Sequence, residues 1–464
     1  MPSKKELTIT QLIPLGSTKL AEILLELANA DSNIEKRLER VLLSVASPKK
    51  LATSLKKQII SLAKSKRFYD YYQSDEYAKK LKAIRTSIVL DLLPFDPYLS
   101  AEVIEEFLKN SKNIIEKADD SSGICQMVLH SLAEDLALSY QKMTKINLNE
   151  IAKMIFDLSI NDPYGFTNNM VKYFDSTLGI NGLNKLEELV KNELKNEPET
   201  KPFELRLKKL RLISLLEDIA DGLCDADKYI EACKLNDRFL HFGCKIAKRL
   251  LDANRPEEAL EWLEKDDSHN AMERANLKII ALVKLGRTKE AQDLRWQEFS
   301  NSLYEIYYVD FLDNEKAENR EKYKKKAIEI ALNHSNIYAG LNFLMWLNEE
   351  KLLRELISNR ISEIDGSHYN NLRKIAQFLL TAAEPEAAAL LYRAMVISVL
   401  EKAVSKYYPY AIADYIKAKN CSDNFKGKLD IPNHEEFNRK LLEKHGKKTS
   451  FWNLVMEAEY KKKL

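Results

Sequence analysis

The sequence predicts an all-α chain built as a TPR-like array of helical hairpins, an α-solenoid or superhelix. Three observations carry that prediction. A helix–turn–helix phrase recurs as Leu250-Leu-Asp-Ala-Asn-Arg-Pro-Glu-Glu-Ala-Leu260, Leu282-Val-Lys-Leu-Gly-Arg-Thr-Lys-Glu-Ala291 and Leu379-Leu-Thr-Ala-Ala-Glu-Pro-Glu-Ala-Ala388. Its Glu-Ala pairs start at 258, 290 and 386, so the second interval is three times the first. A fixed period of this size marks stacked hairpins, each burying its apolar face against its neighbours. Apolar residues also fall at helical spacing along nearly the whole chain, with no sustained period-2 alternation, so strands are not expected. Glycine, finally, is only 12 of 464 residues, which leaves few positive-φ turns and no obvious phosphate-cradling loop.

The elements follow in order. Leu20, Ile23, Leu24 and Leu27 fall at i, i+3, i+4 and i+7, with Ser17 or Thr18 placed to cap that helix. Ile34, Leu38, Val41 and Leu42 continue the pattern until Pro48. Helices are expected over 48–66, 75–92 and 99–117, with a turn at the two prolines of Leu93-Pro-Phe-Asp-Pro97 and a break at Asp119-Asp-Ser-Ser-Gly123. The polar, proline-containing stretch 195–202 is the one linker candidate. It divides the chain into an N-terminal helical segment, 1–196, and a C-terminal repeat segment, 203–464, or else is a surface loop within one continuous array. Beyond it Asn254 and Gly286 suit left-handed helix ends, Pro256 suits a first turn and Thr288 a cap. Ala259, Ala291 and Ala387 are small where paired helices must approach, and Trp262, Trp296 and Phe299 fill space between hairpins. Degenerate copies are expected near 322 and 354, the better one being Leu344-Met-Trp-Leu-Asn-Glu-Glu-Lys-Leu-Leu353.

Composition narrows the function. The 72 basic and 70 acidic side chains nearly balance at +2, so there is no general drive towards nucleic acid or an anionic membrane. No run of about 18 apolar residues exists, and the first residues, Met-Pro-Ser-Lys-Lys-Glu, show no apolar leader core. The five cysteines (125, 224, 233, 244 and 421) are odd in number and scattered, unlike a disulfide framework. A cytoplasmic protein is the expectation.

Each constellation has a functional and a structural reading. Asp119, Asp120 and the two serines after them are arranged to hold a cation or amine, but more simply one of the acids caps the helix starting near Ile124. Lys64-Ser-Lys-Arg-Phe-Tyr-Asp-Tyr-Tyr72, with Lys49, Lys50, Lys56 and Lys57 upstream, is the best nucleic-acid candidate, in which Tyr69 or Tyr72 stacks a base. Its structural reading is an interhelical junction with Phe68 and some tyrosines in the core, pinned by Arg67 pairing with Asp119 or Asp120. Cys224, Cys233, His241 and Cys244 lack the close pairs of a zinc site and read as small apolar residues. None of the seven histidines lies in a metalloprotease motif, and neither a nucleophile elbow nor a phosphate loop is present. His434, beside Glu435 and Glu436, reads as a solvated helix start. Arg393 is placed to pair with an acid across the next helix. The aromatic-rich stretch Ser405-Lys-Tyr-Tyr-Pro-Tyr410, with Tyr407 and Tyr408, is placed to line a groove, and Phe451 and Trp452 to plug the last hairpin.

An ordered series of words resembles one family. It includes Leu15-Gly-Ser-Thr-Lys-Leu-Ala-Glu-Ile-Leu-Leu-Glu-Leu-Ala28, Arg67-Phe-Tyr-Asp-Tyr71, Asp119-Asp-Ser-Ser-Gly123, Leu178-Gly-Ile-Asn-Gly-Leu183, Leu391-Tyr-Arg-Ala394 and His445-Gly-Lys-Lys-Thr-Ser-Phe-Trp452. The sequence is similar to an uncharacterised bacterial family of unknown function, and to the C-terminal helical region of some SWIM-type zinc-finger proteins. That resemblance implies an all-helical, repeat-like, bacterial protein with no established activity. The SWIM module, Cys-x-Cys followed by Cys-x-His, is absent, so zinc-dependent DNA binding is not implied. The function expected is a non-enzymatic scaffold for a protein or peptide partner, without cofactor or metal. The alternatives are a nucleic-acid accessory protein using 49–72 and an enzyme with a discontinuous site.

Overall fold

Among the described residues, five helical hairpins close through one and the same turn. In each, the first helix ends at a residue of positive φ: Cys224, Asn254, Gly286, Asn348 and Ala383. The next backbone N–H then reaches back five residues to a carbonyl of the first helix. These bonds are Asp225 to Ala220 (2.9 Å), Arg255 to Leu250 (2.7 Å), Arg287 to Leu282 (2.9 Å), Glu349 to Leu344 (3.0 Å) and Glu384 to Leu379 (2.8 Å). Such a bond satisfies a carbonyl that the helix end leaves open and fixes the exit angle of the chain. Glycine and asparagine adopt this conformation cheaply; Cys224 and Ala383 hold it against a side-chain penalty.

This computed structural model describes residues 8–196, 203–236 and 239–461. Among them every regular element is helical, and the one β-type pairing is an isolated bridge between Tyr69 and Ala118. The chain falls into two compact units, Met1–His269 and Asn270–Leu464. Of the linker candidate, positions 197–202 lie outside the described residues.

In the first unit the helices expected near 48–66, 75–92 and 99–117 are Pro48–Lys64, Ser74–Thr86 and Pro97–Lys109. The second runs on into a π-helical turn, Ser87–Leu92, and the third is followed by a short helix, Ser111–Ile115. Helix Gly16–Ala30 starts without a side-chain cap, so neither Ser17 nor Thr18 takes that role. One apolar core runs through the unit and includes Leu55, Phe107, Leu129, Phe174 and Leu186. Leu212 and Ile219 of Phe203–Gly222 belong to the same core as Leu183 and Val190 of Met170–Lys195, so the helices flanking 197–202 pack together. Arg85 forks onto the buried Asp135 across this core, at 2.5 and 2.9 Å.

The second unit contains the hairpins Ala271–Lys284/Thr288–Ser302, Ile337–Trp346/Glu350–Asn359 and Tyr369–Thr381/Pro385–Lys402. Thr288 is the first helical residue and not the cap. Arg287 occupies the cap position and its guanidinium closes on Glu290 at 2.6 and 2.7 Å; Arg255 does the same to Glu258 in the first unit, both contacts being 2.7 Å. Ala259, Ala291 and Ala387 are completely buried, as close helix approach requires. Phe299 packs on Phe343 of the following hairpin, with ring centroids 5.0 Å apart, and Trp296 on Phe311 at 4.9 Å. The Leu344–Leu353 phrase does form the hairpin turn. Near 322 there is only helix Arg320–Asn333, entered through a 3-10 turn.

Candidate functional site

The basic, aromatic segment folds as a junction. Residues 65–70 leave the helix and run extended, and Tyr69 bridges to the segment before Asp119. The Tyr69 N–H donates to the Lys117 carbonyl at 2.8 Å, and the Asp119 N–H to the Tyr69 carbonyl at 2.9 Å. Extended backbone sends alternate side chains to opposite sides. Tyr69 therefore enters the core, stacked on Tyr77 at 4.5 Å, while Phe68 stays exposed, the reverse of what the sequence predicted for Phe68. The buried Tyr69 ring is not open to a base. Tyr72 is, at 90% exposed. Arg67 lies 4.4 Å over the Tyr69 ring and forms no ion pair with either acid, so the junction is pinned by backbone bonds in its place. Gly123 occupies the cap position, and Asp120, three residues before it, closes the helix start: its two carboxylate oxygens accept the N–H groups of Cys125 (2.9 Å) and Gln126 (2.8 Å) at the start of Ile124–Gln141. Asp119 accepts from the Ser121 N–H at 3.2 Å.

The cysteine–histidine group is spread over several elements. Cys233 and Cys244 are buried, Cys224 is exposed at its hairpin turn, and His241 faces Asp267 at 2.7 Å. Burial pushes the Cys233 thiol up to about 12. Among the described residues no group of three or more His, Cys, Asp or Glu is placed to hold a metal ion.

The clearest concave site lies in the second unit. Helix Pro385–Lys402 ends at Ala403, whose φ of 56° turns the chain back into Tyr408–Ser422. That reversal sets Tyr407 and Tyr410 opposite Tyr369 and Asn370, the first residues of Tyr369–Thr381. The three tyrosines, all substantially exposed, ring a cavity of about 490 Å³ that also takes in Ser367, Ser398 and Lys402. Its floor is an ion pair: Arg373 forks onto Asp414, Nε to Oδ1 at 3.1 Å and Nη2 to Oδ2 at 2.7 Å. Asp414 is only 2% exposed, and its carboxylate holds the Arg373 guanidinium above its ordinary range. The guanidinium also sits 5.3 Å over the Tyr369 ring. Lys402 is exposed and has no ion partner among the described residues. The arrangement presents flat aromatic faces, hydroxyl and amide hydrogen-bonding groups and one unpaired cation around a rigid floor.

The expected residues divide here. Tyr407 and Tyr410, both in the aromatic stretch expected to line a groove, line the cavity and are joined by Tyr369 and Arg373, which sequence reasoning did not single out as a site. Tyr408 instead faces the core and meets Phe451 edge-on at 5.8 Å. Arg393 is buried and bonded to the Pro432 carbonyl (2.7 Å) and the Ser422 hydroxyl (3.0 Å), with no acid opposite it. His434 is not solvated: both its ring nitrogens are buried without a partner, and the ring packs edge-on against Tyr415 at 4.7 Å.

Burial of His434, reinforced by the positive charges of Arg393 and Lys419 and opposed by Glu459 and Asp423, pushes its imidazole from 6.5 down to about 4. The unfolded chain therefore binds a proton between pH 6.5 and 4 that the folded chain refuses. Stability from this residue is present above pH 6.5 and is lost as pH falls towards 4. His434→Phe is expected to flatten the acid side of the stability profile by about 1–3 kcal/mol. Parallel slopes for the two proteins in urea melts between pH 7 and 4.5 would refute this.

No curated protein matches the chain. One solved structure, a "circular tandem repeat protein with novel repeat topology and enhanced subunit contact surfaces", aligns over 95% of this chain and 96% of its own, with 14% identity and a TM-score of 0.19, too low a score to carry an argument. Among the described residues no helix is long and apolar enough to cross a membrane. Residues 2–454 match the family described as "Family of unknown function (DUF6880)". A match over nearly the whole length places the chain in that family: it is a member of the DUF6880 family of unknown function.

Proposed function

We propose that the protein is a non-catalytic, cytoplasmic scaffold of TPR-like helical hairpins, and that it holds a peptide segment of a partner protein in the tyrosine-ringed cavity of its second unit. One observation carries this reading: three solvent-facing tyrosines surround a cavity of about 490 Å³ whose floor is fixed by the Arg373–Asp414 fork. Tyrosine supplies large contact area at small entropic cost, and a floor locked by two charge-assisted bonds is ready before the partner arrives. The unpaired Lys402 favours a segment carrying a carboxylate beside its apolar residues.

Tyr410→Ala removes an exposed ring and leaves the core untouched. It is expected to weaken capture of the native partner by about 10-fold or more, as for an interface anchor, with an unchanged melting temperature. Tyr72→Ala, in the first unit, leaves capture unchanged. Equal capture by Tyr410→Ala and the wild type would remove the reading.

A further inference from the structure

Arg393 is 5% exposed and forms no ion pair: among the described residues no carboxylate comes within ion-pair distance of it, and Glu436 acts on it only from farther away. Two of its nitrogens bond to Pro432 and Ser422, as described above, while Nε is buried without a partner. The faces of Phe437 and Phe425, with centroids 4.8 and 5.7 Å away, offer only weak compensation. Burial lowers the guanidinium to about 10. A buried cation with an idle donor and no anion is costly to keep.

The same side chain forms part of the wall of an open cavity of about 370 Å³. The remaining wall is largely apolar, with Ile364, Leu390, Ile397 and Phe437. Two acids also line it, and both are engaged. Asp365 accepts the Ser367 N–H (2.8 Å) and hydroxyl (2.7 Å), and Glu401 accepts the Lys444 ammonium at 2.7 Å. Glu401 is thus paired, and Asp365 keeps its negative charge on neutral donors, while the positive charge of Arg393 is recessed without an ion pair among aliphatic and aromatic side chains.

We propose that this cavity binds a small apolar carboxylate, its anionic end on Arg393 and its hydrocarbon part against Ile364, Leu390 and Ile397. A carboxylate matches the guanidinium geometrically as well as electrostatically, whereas a phosphate would bring a larger desolvation cost into apolar walls. The volume suits a ligand of a few carbon atoms. The carboxylate is that of a free acid or of a peptide C-terminus ending in an aliphatic residue. This cavity adjoins the tyrosine-ringed one, sharing Gly366 and Ser398 with it, but its cation is Arg393 and not Arg373, so different variants test the two proposals.

The test is calorimetric titration of the full chain with 4-methylpentanoate, with 4-methylpentanamide, and with the tripeptide Ala-Ala-Leu as its free acid and as its C-terminal amide. Each carboxylate that binds is expected to do so at least about 10-fold more tightly than its amide. Whichever acid binds more tightly identifies the source of the carboxylate. Arg393→Met should lose that preference. Ile397→Trp, which fills the cavity and leaves Arg393 in place, should lose binding of the acid while keeping the wild-type melt. Absence of binding by both acids, equal affinity for acid and amide, or unchanged affinity in Ile397→Trp would overturn the proposal.

Discussion

Arg373→Met is expected to lower the folding stability by about 3–4 kcal/mol. The substitution keeps most of the side-chain volume and removes the charge, leaving the Asp414 carboxylate, 2% exposed, without the two donors that now hold it. Removing one partner of a buried pair costs far more than the pair contributes, because the other charge stays behind. Asp414→Asn in the same background should restore a large part of the loss, since the stranded carboxylate is then gone. Lys419 and Glu459, whose side chains are both about two-fifths exposed, provide the contrast: breaking that ion pair should cost no more than about 1 kcal/mol. Chemical denaturation of the three variants checks the set. A loss below about 1 kcal/mol for Arg373→Met would mean that water already solvates Asp414 and that the floor of the cavity is soft.

Phe451→Ala should cost about 3–5 kcal/mol. Its ring is fully buried in a cluster with Val396, Leu400, Tyr408, Tyr415 and Phe437, and it meets the Tyr408 ring, next to Tyr407 of the cavity rim. Truncation opens a void among side chains from several helices, none of which can collapse alone. Trp452→Ala, one position on, should cost only about 1–2 kcal/mol. That indole is partly exposed and anchored through one bond, from its Nε1 to the His445 carbonyl at 3.0 Å. Thermal melts of the two variants should therefore separate clearly. Similar losses would contradict the division between a buried plug and a half-exposed cover.

Local features were legible in the sequence because local physics produces them. Apolar spacing placed the helices between Pro48 and Gln141. Asn254 and Gly286 marked two hairpin turns, the Asp119-Asp120 pair an acid closing a helix start, and Ala259, Ala291 and Ala387 the close approaches. Two other turns, at Cys224 and Ala383, were missed as left-handed positions because neither residue type favours that conformation. Side-chain direction failed where the period changed. The junction reading put Phe68 inside with some of the tyrosines, but the extended run through 65–70 buries Tyr69 and leaves Phe68 exposed. The candidate site was the least legible part. Tyr369, Arg373, Tyr407, Tyr410 and Asp414 come from two separate helices and the turn before the second. The Arg373–Asp414 fork joins residues 41 apart, a pairing that neither periodicity nor capping grammar encodes. One faint signal was present: Tyr407 and Tyr410 flank Tyr408-Pro409, where a helix start projects side chains i and i+3 to one face. Arg393 was recognised as a residue needing an acid. That none stands opposite it emerged only from the packing of 422–437 around it.

The most direct measurement places a photo-crosslinking benzoylphenylalanine at position 410 and, in a separate protein, at position 72, followed by irradiation in the native host and nuclease treatment. The account predicts a discrete polypeptide adduct at 410 that survives nuclease, and none at 72. A nuclease-sensitive adduct at 72, with nothing at 410, would contradict it.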